Sequence, residues 1–310
     1  MFAKQPRLLV VALSAILAGA CAPVAVATPG PSAAASTSTT ARVPTADPAI
    51  AAPAASTALG ERFTQPDQTV EYHFMIQVAA LSETDLETSY QASVVEPLKA
   101  VAAVGALGRC TLGGYVDSKR RGLERHHLIV RVRDGQITIK ARAASPTALL
   151  DLEGCTSRKY EVDQFGTADY SISSEIRFNA GEFDVRPPAL TPARVWDSIE
   201  RKCPGVWKQL RSAVRSSGKM EIPGVAHMYS AEVTLKHPSA AGVKEASVAV
   251  WFFPPTDEFL VELAFTGYEK DRADMDRMYA DLGAMLRAAG LLRGDQSSKT
   301  RQYFAAYFGP

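Results

Sequence analysis

The sequence predicts an α+β fold of mostly antiparallel strands with flanking helices, and three observations carry that reading. An Asp134-Gly135 pair joins two runs in which apolar and polar residues alternate. Asp-Gly in that setting marks a tight hairpin, because a type I′ turn needs positive φ at both central residues. Further alternating runs recur at 70–78, 247–253 and 259–265. Near the end, Met275, Met278, Tyr279, Leu282, Met285, Leu286 and Ala289 repeat at helical spacing, and Gly290 supplies the stop. Strand groups separated by helices, without a strict strand–helix alternation, are the pattern of an α+β domain.

The chain opens on an address. Lys4 and Arg7 precede an apolar run from Leu8 to Ala20, too short to span a bilayer, as in a secretory signal peptide over 1–20. The run ends Leu17-Ala18-Gly19-Ala20-Cys21-Ala22, which resembles a bacterial lipoprotein signal with Cys21 as the lipidated residue. Ordinary cleavage after Ala25-Val26-Ala27 is the competing reading. Residues 21–62 are rich in Ala, Pro, Ser and Thr with almost no charge; such a composition cannot bury enough surface to offset its ordering entropy. The expectation is a lipidated tether at 21–62, a globular domain over 63–310, and export to the bacterial outer membrane or periplasm, with the membrane as a partner through the lipid.

Within the domain, residues 70–78 place Tyr72, Phe74, Ile76 and Val78 on one face and Glu71, His73, Met75 and Gln77 on the other, a first strand. Ser82 with Asp85 three residues on suggests a helix start, and Pro97 kinks that stretch or opens a second helix through Leu98, Val101, Val104 and Leu107. A strand over 111–117 leads into the hairpin. Strands follow near 158–163 and 170–178, then a helix from Thr191-Pro192, with Thr as N-cap and Pro in the first turn. Trp196 and Trp207 read as core. A strand over 231–236 comes next, and the segment 297–304 is aromatic strand or helix. Cys110 lies shortly before the hairpin and Cys155 shortly after it, which makes them the expected disulfide pair in an oxidising compartment.

The hairpin is the candidate site. With Asp134-Gly135 in the turn, Arg133 faces Gln136, Arg131 faces Thr138 and Ile129 faces Lys140. Side chains alternate faces along a strand, so Leu128, Val130, Val132, Ile137, Ile139 and Ala141 form an apolar face. His127, Arg131, Arg133, Lys140 and Arg142 form a cationic one. A solvated outer face and an anion-binding palm share this pattern. Lys and Arg total 34 against 33 Asp and Glu; this near-neutral balance gives no support to a nucleic-acid partner. No Gly-x-Ser-x-Gly, phosphate-binding Gly-rich loop, His-Glu-x-x-His or zinc cysteine pattern is present.

Taken in order, the motifs resemble the CYTH, or triphosphate tunnel, family. Tyr115-Val116-Asp117, Ile129-Val130-Arg131-Val132-Arg133, Asp134-Gly135 and Thr138-Ile139-Lys140 look like its Tyr-x-Asp segment, Arg-x-Arg strand, glycine turn and Thr-Leu-Lys strand. Leu260-Val261-Glu262-Leu263, the helix over 271–290 and Ser298-Lys299-Thr300-Arg301 follow in the family's order. The resemblance implies an antiparallel barrel of about eight strands whose charged faces line a tunnel. It implies anion binding by Arg131, Arg133, Lys140, Arg142, Lys299 and Arg301, and metal binding by Glu71 and Glu262.

The departures fall on the chemistry. The family opens Glu-x-Glu-x-Lys where this chain has Glu71-x-His73-x-Met75, and Leu260 and Ala264 stand where more acid is usual. A hard cation prefers a dense set of oxygens. The expected function is therefore a secreted, lipid-anchored CYTH-like protein that binds a phosphate-rich anion or an envelope partner, with weakened or lost catalysis. The alternatives are a triphosphatase or polyphosphatase, the only reading that calls for Mg or Mn, and a structural envelope lipoprotein without a ligand.

Overall fold

The computed structural model describes residues 57–152, 155, 158–164, 168–179, 181–254 and 256–309. The expected signal peptide, Cys21 and the tether up to residue 56 lie outside them. The strands are β1 (Thr69–Ile76), β2 (Ala102–Val104), β3 (Thr111–Ser118), β4 (Leu128–Arg133), β5 (Gln136–Ala143) and β6 (Arg158–Gln164). They continue with β7 (Ala168–Arg177), β8 (Met220–Glu221), β9 (Ala226–Leu235), β10 (Glu245–Phe253) and β11 (Glu258–Tyr268), and the short helices α1 (Thr57–Arg62), α2 (Leu86–Tyr90), α3 (Glu96–Leu98) and α4 (Gly122–Arg125) precede the longer ones. Nine of them close into a barrel in the order β9-β10-β11-β1-β6-β7-β5-β4-β3, with β3 returning to β9; β2 and β8 stay outside. Every neighbouring pair around the barrel is antiparallel except β1 with β6.

The hairpin has the register that its turn dictates: Arg133 faces Gln136, Arg131 faces Thr138 and Ile129 faces Lys140. Gly135 supplies the positive φ, at 65°, that a side chain would resist. The alternation then sorts the barrel into two environments. Outward-facing Val130, Val132, Ile137 and Ile139 are fully buried, in one cluster with Val195 and Ile199 of α5 (Pro192–Lys202) and Val206 and Leu210 of α6 (Pro204–Ser216). Thr191 caps α5 by accepting a hydrogen bond from the Arg194 N–H, as the Thr-Pro pair predicts. On the other flank, Tyr72 and Phe74 of β1 pack under α7 (Arg272–Ala288), where the Phe74 and Tyr279 rings stack at 4.5 Å. Met285, placed in the apolar stripe by its spacing, is the one large hydrophobic exposed among the described residues.

A second, smaller apolar layer lies inside the barrel. Met75, Leu260, Trp251, Phe253 and Tyr115 point inward and meet Tyr303 and Phe304 of α8 (Lys299–Phe308). The Tyr303 hydroxyl donates to the Gly224 carbonyl at 2.5 Å, and an added Cβ at Gly224 would collide with the Tyr307 ring. Helix α8 is thus a plug across one end of the barrel, and the ambiguous segment at 297–304 resolves as helix.

Two expectations are corrected. The segment after Pro97 forms only a short helix to Leu98; 102–104 is instead β2, because the free edge of β9 offers backbone partners to it. Cys155 is bonded to Cys203, with Cα atoms 4.9 Å apart, and not to Cys110. Cys203 sits at the junction of α5 and α6, whereas Cys110 precedes β3, several strands around the barrel from β6. Closeness to a hairpin in sequence did not translate into closeness in space.

Candidate functional site: a charged tunnel above the plug

The polar faces of β1, β4, β5, β6 and β7 converge on one cavity of about 240 Å³. It shares Glu71, Arg131, Arg133 and Lys299 with a wider mouth of about 1080 Å³ along β9 and β10. Alternation puts each contributor there. In β6, Lys159, Glu161 and Asp163 face inward while Val162 is buried on the other side. In β1, Glu71 and His73 face inward between Val70, Tyr72 and Phe74.

Most of these charges are already paired. Lys140 Nζ lies 2.8 Å from Asp163 and 3.3 Å from Glu161. Arg142 is 3.3 Å from Asp163, and Lys159 is 2.6 Å from Glu161. Glu262 is 1 % exposed and bridges two cations: its Oε1 is 3.0 Å from His73 Nδ1, and its Oε2 takes Lys299. His73 Nε2 is 3.7 Å from Glu71 and 3.8 Å from Asp163. Buried charges persist only when compensated in this way.

Arg131 and Arg133 differ. Among the described residues neither has a carboxylate within 4.0 Å, and the buried Nε of Arg131 makes no hydrogen bond. They stand two apart on β4, so both aim into the same space. Partial withdrawal from water, together with the Arg131 charge, depresses the Arg133 guanidinium below its usual range.

The electrostatics follow from the pairing. Burial works against a charge on His73, yet Glu71 and Glu262 outweigh it and push the imidazole up to about 9. Burial also opposes ionised Glu262, but Lys299 and His73 pull it down to about 2. Asp163 is held well below its usual range by Lys140 and Arg142 against the same burial cost. His73 is therefore a cation at neutral pH.

The sign of its linkage is fixed. A raised histidine contributes stability that is complete below 6.5 and disappears as pH climbs through 9. The lowered Glu262 contributes stability above 4.5 that is lost as pH falls towards 2. Between pH 6.5 and 9 the protein is expected to lose up to about 3 kcal/mol from His73. Urea midpoints for wild type and His73→Gln across that range measure it. Parallel profiles for the two proteins would show that His73 carries no such linkage.

The predicted residues separate into groups. Arg131, Arg133, Lys140, Arg142 and Lys299 line the cavity together. Arg301 does not: it is exposed, beside Lys119, Arg120 and Arg121 on an outer surface, because one helical turn cannot aim both Lys299 and Arg301 into the tunnel. Asp117 serves the backbone, accepting from the N–H groups of Ser118, Leu123 and Glu124. Glu71 and Glu262 do approach the same residue, His73, but both Glu262 oxygens are engaged. Lys159 and Asp163 were missed by the sequence reading, although the alternation Lys159-x-Glu161-x-Asp163 carried the signal.

One group of ligand atoms, from Glu71, His73 and Asp163, gathers within 4.8 Å. It does not fit a divalent metal. Asp163 is committed to Lys140 and Arg142, and Glu71 faces His73 Nε2 at 3.7 Å, so no more than one of the three carboxylate and imidazole groups is without a lysine, arginine or acidic partner's claim on it. A hard cation needs several free oxygens.

No family model and no curated protein matches the chain. Solved structures are similar in fold. A Hippeastrum protein named as an adenylyl cyclase with a dominant triphosphatase activity shares 9 % identity at a TM-score of 0.42, over 74 % of this chain and 93 % of its own. A Bacillus halodurans protein named as an adenylate cyclase shares 10 % at 0.39, over 77 % and 98 %.

Proposed function

Starting from a closed tunnel with an inward cationic strand, we propose that this protein binds a phosphate-rich anion in the cavity above α8. The observation that supports it is the unpaired state of Arg131 and Arg133 in a tunnel whose other lining cations are neutralised. The buried Arg131 Nε without an acceptor is costly, and a polyphosphate supplies paired oxygens that the planar fork of Arg matches. Lys140, Arg142 and Lys299 frame the pocket while remaining tied to Asp163, Glu161 and Glu262. The leader and tether expected over residues 1–62 support a cell-envelope setting for this binding.

The reading favours capture over turnover, since among the described residues no uncommitted carboxylate set stands ready to hold a metal and orient a water. Calorimetric titration of tripolyphosphate and of orthophosphate into the wild-type protein tests it. Tripolyphosphate is expected to bind at least tenfold more tightly, because it brings more charge and more acceptor oxygens to the two arginines. Silence with both ions removes the reading. Phosphate released from tripolyphosphate in Mg²⁺ or Mn²⁺ would move the conclusion to the hydrolase alternative.

A further inference from the structure

We propose that the tunnel takes its polyanion as the metal-free species, the His73 ring and the Lys299 ammonium, both held on Glu262, occupying the place that a divalent cation would otherwise take. The inference rests on the anion-binding reading above and concerns the form in which the ligand enters.

The carboxylates that could receive a metal are occupied by the chain's own cations. Glu262 spends one oxygen on His73 Nδ1 at 3.0 Å and the other on Lys299. Asp163 Oδ2 is shared by Lys140 at 2.8 Å and Arg142 at 3.3 Å. Where Glu71 and Asp163 converge, the group between them is the Nε2 side of His73, at 3.7 and 3.8 Å. A metal entering there would meet the His73 ring where it needs oxygens, with Asp163 already held by Lys140 and Arg142 and Glu262 by His73 and Lys299. It would also meet Lys299, which lines the same cavity. The position that collects negative charge in this barrel is thus filled by a side chain anchored to β1 and cannot diffuse away.

The ligand side points the same way. Arg131 and Arg133 project at the cavity from β4, and they are complementary to the full charge of a free polyphosphate. Chelation by Mg²⁺ would cancel part of that charge and bring a dication towards two guanidinium groups and an ammonium. Coulomb repulsion between like charges in a partly dehydrated site is large compared with its value in water. Mg²⁺ should therefore act here as a competitor for the ligand.

The test is calorimetric titration of tripolyphosphate into the wild-type protein in EDTA and again in excess Mg²⁺. The expected result is tighter binding in EDTA, with the dissociation constant rising at least tenfold in Mg²⁺. Binding that appears only with Mg²⁺ overturns the inference while leaving the anion-binding reading standing. No binding in either buffer removes both. Mn²⁺ alone, followed by electron paramagnetic resonance of the free ion, gives a readout independent of the anion. No uptake is expected; stoichiometric uptake abolished in Glu71→Gln would overturn the inference. The variant His73→Glu is expected to gain Mn²⁺ uptake and to lose metal-free tripolyphosphate affinity. Should that variant fail to fold, the wild-type titrations still decide.

Discussion

Replacing Arg131 and Arg133 together by alanine is expected to weaken tripolyphosphate binding about 100-fold. Both side chains leave β4 on the inward face, and no other described cation of the cavity stands without a carboxylate close by. A hydrogen bond to a charged group contributes about 1.5–3 kcal/mol. The wetter position of Arg133 calls for a discount, which brings the pair to about 3 kcal/mol, or two decades in affinity. Folding should not suffer, because among the described residues the two guanidinium groups have no carboxylate partner to lose, and the Arg131 charge acts against that of Arg133. The melting temperature of the double variant is thus expected to equal or exceed that of wild type. That outcome separates a binding defect from an unfolded protein. Lysine at both positions should restore only part of the affinity, since a point charge lacks the planar fork. Calorimetry measures all of this, and an unchanged dissociation constant in the alanine variant would exclude the site.

Glu262→Gln is expected to cost the fold about 3–5 kcal/mol, the usual consequence of leaving buried charges without their partner. Gln keeps the shape, so the loss reports charge. Glu262 is 1 % exposed, and its two oxygens hold cations from β1 and from the first turn of α8. For a domain of this size the melting temperature should fall by roughly 10 °C. Adding Lys299→Met should return part of the loss, because removing both members of an ion pair spares the orphaned charge. A melting temperature that does not move in Glu262→Gln would show that the plug is held by its aromatic contacts alone.

The hairpin was legible because its turn fixes its register: once Asp134-Gly135 takes the corner, the inward set 131, 133, 138, 140 and 142 follows without choice. The long helix was legible from spacing for the same kind of reason, a periodicity with a defined stop. What the sequence did not disclose is how charges partner across strands distant in the chain. His73 lies 189 residues from Glu262 and forms its closest contact there, and no local pattern records that distance. In isolation His73 reads as a lost carboxylate; in place, among Glu71, Asp163 and Glu262, it is a cation. Arg301 shows the opposite error. It sits in a motif beside Lys299, and motif order is blind to which side of a helix a residue takes. The disulfide failed similarly, since 48 residues of chain return Cys203 to Cys155 by way of β6, β7 and then α5, which packs outside the barrel.

The aromatic plug has a consequence for traffic. With Tyr303 and Phe304 seated among Met75, Tyr115 and Leu260, the barrel is a cup, not a conduit. A ligand of the proposed kind would enter and leave on the side away from α8. A long linear ion can insert only its tip, with the remainder trailing outside, so the protein would grip ends and never thread along a polymer. Such a vessel is suited to holding and releasing, one terminus at a time.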